Sequence, residues 1–155
     1  MIHTKKRLQI CITLLIANLC FIWGNSLLPG HISAALSNWV RYVVGILFPG
    51  TAAIPGGSGL LRKLAHFTEF ACLGVCLRWL FGMLRSKSWE HWLFPLGTGV
   101  VTACIDETIQ IFVPDRGPGI RDVCIDSLGV MLGITLLSLI HIFKNKKNHL
   151  EDKIV

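Results

Sequence analysis

Apolar residues gather in four long stretches, separated by short polar or Gly/Pro-rich breaks. A helix of about 20 mostly apolar residues crosses a bilayer, and the stretches at about 8–28, 62–84, 89–113 and 120–143 each reach that length. The first is centred on LQICITLLIANLCFIW behind a basic start. That arrangement resembles a signal peptide, but no small-x-small cleavage site follows promptly, so it is read as an uncleaved anchor. Residues 31–48, HISAALSNWVRYVVGILF, repeat apolar positions at helical spacing yet carry Asn38 and Arg41. The stretch from Pro49 to Gly59 is a turn or loop. The pattern therefore predicts an all-α fold, a polytopic membrane helix bundle with four transmembrane helices plus an interfacial or re-entrant helix near residues 31–48. It forms one domain over residues 1–155, with no internal repeat.

Composition narrows the class further. Of the 155 residues 52% are hydrophobic and 15% charged, and the mean hydropathy is +0.59. Soluble domains carry about 25% charged residues, so a water-soluble globule and a disordered chain are both excluded. The six cysteines lie in or beside apolar runs, where thiols behave as small hydrophobes. No Cys/His spacing completes a zinc pattern.

The net charge of +6 is explained by topology. Lys5, Lys6 and Arg7 precede the first apolar run, and Lys144, Lys146 and Lys147 follow the last. With four spans and both termini cytoplasmic, these residues and Arg85, Lys87 and Lys153 fall inside, as the positive-inside bias requires. A fifth span at 31–48 would put RSK and KNKK outside. The partner implied is the lipid bilayer. No aromatic-plus-basic stripe marks a nucleic-acid binder.

Polar residues within spans are costly, and here they share one depth. At 1.5 Å per helical residue, Lys63, His66 and Glu69 fall in the first two turns of the second span. Asp106, Glu107 and Gln110 fall in the last two turns of the third, and Asp122 and Asp126 in the first two of the fourth. Arg116 and Arg121 flank the joining loop PDRGPG. All lie in the outer third of the bilayer under this topology. The pairs 66/69, 106/110 and 122/126 each share a helix face. Below them, Gly129 and Gly133 in G-x-x-x-G spacing, and Gly99 with Ala103, admit close helix contact. The plain structural alternative is a set of membrane-edge ion pairs joining Lys63, Arg116 and Arg121 to Glu107, Asp115 and Asp122. So many ionisable groups from three helices at one depth favour a functional pocket.

The stretches RKLAHFTEF and DETIQIFVPDRGPGIRDVCIDSLG resemble the VanZ-like family of small bacterial membrane proteins. That family's pattern is similar to K-x-x-H-x-x-E, then D/E-E-x-x-Q, an Arg, and D-V-x-x-N-x-x-G. Lys63, His66, Glu69, Asp106, Glu107, Gln110, Arg116, Asp122 and Gly129 match it in turn, and Ser26 resembles the polar Ser after the first span. Gly119 stands where the family tends to have Ser, and Asp126 where it tends to have Asn. The resemblance implies a multi-pass protein of the bacterial cytoplasmic membrane, acting at the outer face in the cell envelope. It further implies an accessory role in resistance to the glycopeptide teicoplanin.

Three function classes are compatible with these residues. A binding protein would hold an anionic lipid-linked or glycopeptide ligand through Lys63, Gln110, Arg116, Arg121 and Asp126. A membrane enzyme acting on a lipid phosphate would use His66, Glu69, Asp106, Glu107 and Asp122. A proton- or cation-coupled transporter would use the carboxylates as a relay. No H-E-x-x-H, G-x-S-x-G or P-loop is present. A cluster rich in Asp, Glu and His is able to take a divalent metal, but H-x-x-E at 66–69 is a weak signal, and no metal site or cofactor is assigned.

Overall fold

The computed structural model describes residues 2–47, 57–84 and 87–151. They form five helices: α1 (Ile2–Ser26), α2 (Gly30–Leu47), α3 (Gly57–Leu84), α4 (Glu90–Ile111) and α5 (Ile120–Glu151). No strand occurs among the described residues. Most of the expected Pro/Gly break, residues 49–56, lies outside the described residues, as do Arg85 and Lys153. The break ends sooner than its composition suggests, because α3 already begins at Gly57.

Three helical segments are long and apolar enough to cross a membrane: Thr4–Ser26, Gly59–Leu84 and Ile120–Lys146. The stretch expected as a further span forms α4, a helix of 22 residues and so about 33 Å long, which is not among the three. It is less apolar because its sequence includes Glu90, Asp106 and Glu107, and the last two are buried within the bundle. Side-chain placement is inverted relative to a soluble protein. Leu14, Phe21, Leu128, Leu132, Leu136 and Ile140 are exposed, while Glu69, Asp106, Glu107, Gln110 and Asp126 are buried. An apolar exterior of this extent marks a surface made for lipid.

The tightest seam runs between α3 and α5, and small residues make it. A Cβ at Gly129 would meet the Phe67 carbonyl, one at Gly133 the Ala71 carbonyl, and one at Gly74 the Val130 carbonyl. Only glycine lets the backbones approach this closely, and in lipid such packing replaces the hydrophobic drive. On α4, Gly99 fits against the Val130 side chain in the same way. The apolar core lies on this seam and comprises Ile22, Phe70, Leu73, Leu77, Ala103, Val130 and Ile134.

Contacts between helix ends fix the direction of each element. Ser26 near the end of α1 meets Gln110 near the end of α4, and Lys63 early in α3 meets Asp122 early in α5. The polar ends of four helices therefore share one end of the bundle. The basic start of α1 and the basic end of α5 share the other. There Arg78 of α3 is buried and donates from Nε to Ser138 Oγ at 3.0 Å, while Ser138 itself donates to the Ile134 carbonyl.

A polar cluster between a groove and a small cavity

Helical phase builds the cluster. Arg62, His66 and Glu69 follow one another along one face of α3, because steps of four and three residues keep to one side. His66 and Glu69 are buried. The Glu69 carboxylate accepts a hydrogen bond from Asn25 Nδ2 at 3.0 Å through Oε1, and its other oxygen stands 3.7 Å from His66 Nδ1. Asn18, two turns earlier on α1, donates to the Glu69 carbonyl at 3.4 Å.

Asp106 and Glu107 come from α4. The Gln110 amide, one turn on, donates to Asp106 Oδ2 at 2.9 Å and lies 3.3 Å from Glu107 Oε1 and 3.4 Å from Ser26 Oγ. Asp106 Oδ2 is 4.0 Å from His66 Nδ1. Glu107 Oε2 accepts the backbone N–H of Gly119 at 2.8 Å, where α5 begins. Asp126 lies one turn deeper on α5 than Asp122 and is buried. One ligand-type atom from each of His66, Asp106 and Asp126 falls within 4.8 Å of the other two.

The cations are placed unequally. Lys63 Nζ pairs with Asp122 Oδ1 at 2.6 Å, a partly exposed bridge between α3 and α5. Arg116 spends its donors on backbone carbonyls rather than carboxylates: Nε to Leu28 at 3.0 Å and Nη2 to Asn25 at 2.7 Å. Its guanidinium thereby ties the α4–α5 loop to the end of α1. Burial first, then repulsion from the Arg62 guanidinium, lowers the Arg116 pKa, yet arginine stays charged in proteins. Arg121 is exposed and lines neither of the two spaces described below. One residue from Asp122, it points about 100° away from it around α5. Asp115 bonds His31 Nδ1 of α2 at 3.1 Å, an exposed contact.

Two spaces flank the cluster. A groove of about 850 Å³ runs between α1, α2 and α3. Its walls are mostly apolar, including Phe21, Leu28, Leu36, Val40, Leu61 and Leu64, with Asn18, Asn25, Arg62 and Glu69 as polar points. On the other side, Arg62, Lys63, His66, Glu107, Gln110, Asp122 and Asp126 face a cavity of about 20 Å³, room for a single water-sized occupant. Glu69 belongs to the groove and His66 to the cavity, and the two side chains meet between them.

Nine of the ten candidate residues named from the sequence thus gather at one end of the bundle, and Arg121 stands apart. Sequence reasoning missed Asn25 and Arg62. Asn25 adjoins Ser26, whose place after the first span had already marked that end of α1. Arg62 stands four residues before His66, so the periodicity that paired His66 with Glu69 also reaches it. Neither a curated protein nor a solved structure matches the chain. The family model of VanZ/LLP1 matches residues 10–141, from early α1 through most of α5, and the chain belongs to that family.

Proposed function

We propose that this chain is a four-span protein of the bacterial cytoplasmic membrane that binds an anionic lipid-linked amphiphile at the outer face. The apolar tail lies in the α1–α2–α3 groove and the charged head rests at Arg62, the one cation that lines it. The observation that carries this reading is the groove itself. Its volume of about 850 Å³ is within the range of small-molecule sites. Apolar walls with a few polar points at one end suit a molecule divided in the same way. α4 serves as the fourth span, its acids turned inward. Basic residues at the two chain ends hold that end of the bundle in the cytoplasm, which turns the cluster outward.

A second reading is favoured by one observation. Neither ring nitrogen of the buried His66 has a hydrogen-bond partner, and the Glu69 carboxylate is 3.7 Å away. Glu69 lines the groove with His66 behind it, a pair suited to moving a proton on a lipid phosphate head, which makes the chain an enzyme rather than a carrier. The envelope and glycopeptide-resistance roles follow if the bound species is a cell-wall precursor carrier.

Native mass spectrometry of the full chain released gently from its membrane tests the binding. An anionic lipid or polyprenyl-linked species is expected to co-purify. Ala65→Trp, which fills the groove, should remove it, and Arg62→Ala should weaken it. A chain free of bound amphiphile, or Ala65→Trp carrying it like wild type, overturns the reading.

A further inference from the structure

We propose that His66, Asp106 and Asp126 form a binding site for one divalent transition-metal ion, of the Mn²⁺ or Zn²⁺ kind, where α3, α4 and α5 meet. The proposal does not depend on what occupies the groove, and it concerns the opposite side of the His66–Glu69 pair.

Charge balance is the first ground. Asp106 is 0% exposed and Asp126 2%, and no Lys or Arg lies within salt-bridge distance of either among the described residues. Of the cations nearby, Lys63 is paired with Asp122, while Arg116, which donates to the Leu28 and Asn25 carbonyls, and Arg62 keep their charge but form no salt bridge with either acid. Isolated carboxylates in a low-dielectric interior are strongly unfavourable. A divalent ion and two carboxylates sum to zero charge, with a neutral imidazole completing the set.

Unpartnered atoms are the second and independent ground. His66 is 7% exposed, yet both its ring nitrogens are buried without a hydrogen bond, as are Asp106 Oδ1 and Glu69 Oε2. Buried polar atoms rarely go unpaired, and three of these four belong to two of the proposed ligands, His66 and Asp106. A third helix brings Asp126, to which no hydrogen bond runs among the described residues.

Geometry agrees. The three ligand-type atoms lie within 4.8 Å of one another. Bonds of about 2.0–2.2 Å to a common ion place such atoms roughly 3–4 Å apart, so side-chain rotation of about 1 Å closes the set. Gln110 fixes the Asp106 carboxylate, the kind of outer support that orients metal ligands. Imidazole with carboxylates selects a transition ion over Mg²⁺ or Ca²⁺, which prefer oxygen alone.

The experiment uses the tag-free full chain in detergent, stripped with chelator and titrated calorimetrically with Mn²⁺ or Zn²⁺ alone. One ion per chain is expected, with Mg²⁺ at equal concentration failing to displace it. Asp126→Asn and His66→Gln should each weaken binding by about tenfold or more, while Asp115→Asn at the exposed loop binds as wild type. If those two variants do not fold, wild type alone decides. Electron spin-echo spectra of the Mn²⁺ complex should show coupling to a directly bound imidazole nitrogen. Failure to bind one ion, equal competition by Mg²⁺, wild-type affinity in both folded variants, or a Mn²⁺ signal without nitrogen coupling each overturns the proposal.

Discussion

Glu107 of α4 caps the helix that follows it. Its Oε2 accepts the Gly119 N–H at 2.8 Å, and the Gly119 carbonyl accepts the first helical N–H groups of α5, from Asp122 and Val123. A carboxylate at this position meets the positive end of the helix dipole. From a neighbouring helix it also takes the part of a capping-box glutamate, accepting the N–H of the N-cap residue itself.

Replacing Glu107 by Ala should therefore lower stability by about 1 kcal/mol, the low end of the cost of an unpaired donor, because Gly119 is half-buried. Thermal unfolding of the detergent-purified protein is the measurement. Glu107→Gln should retain part of the loss, because its amide oxygen still accepts. Gly119→Ser, which meets no atom within 4 Å, should gain a few tenths of a kcal/mol by capping α5 itself.

At the α3–α5 seam, Gly133→Leu should prevent accumulation of folded protein, because its side chain would enter the Ala71 backbone. Gly97 has open space around its Cβ position, so Gly97→Ala should be tolerated and add roughly 0.5–1 kcal/mol of helix stability. Comparing the two by size-exclusion profile and melting separates close packing from general intolerance of substitution.

Arg116→Lys should behave as a loss rather than a conservative change. The guanidinium reaches two carbonyls at once, and a lysine has neither the fork nor the planarity. Amide exchange should quicken at residues 25–30 and 114–118 in this variant while α5 keeps its protection. Unchanged exchange at both segments would show that the loop is held by something else.

The orientation proposed here is checked in a cysteine-free chain. Gly117→Cys, in the exposed loop, should label with an impermeant maleimide from outside intact cells, and Lys87→Cys only after permeabilisation. The opposite pattern would place the cluster in the cytoplasm.

Expression in a susceptible host should raise its tolerance to teicoplanin, and Arg116→Ala should abolish the gain at equal protein level. Tolerance unchanged by wild type would sever the envelope role from this member of the family. Alanine variants that protect like wild type would show the cluster to be structural.

Depth was legible from sequence because a helix has a fixed rise. Counting residues along three apolar runs was enough to put Lys63, Glu69, Gln110 and Asp122 at one end of the bundle. Partnership was less legible, because it depends on where neighbouring backbones end. Arg116 looks like an anion holder in sequence, yet the end of α1 presents two carbonyls to it first. Arg121 looks like a further anion holder beside Lys63 and Arg116, yet it is turned away by one residue of helical phase from Asp122. The groove was not legible at all. It arises because α2, expected as an interfacial or re-entrant helix, packs along α3, and an amphipathic stripe does not say which neighbour it meets.

The place where α2 starts has one more consequence. Gly30 donates its N–H to the Pro114 carbonyl at 3.0 Å, and any side chain there would collide with Asp115, whose φ of 59° turns its backbone toward the helix. The same short loop carries Arg116, which grips the end of α1. One wall of the groove and the end of another are thus hung from a single hook. The width of the apolar slot and the posture of the charged loop are then one mechanical coordinate, so a molecule that spreads the first must shift the second.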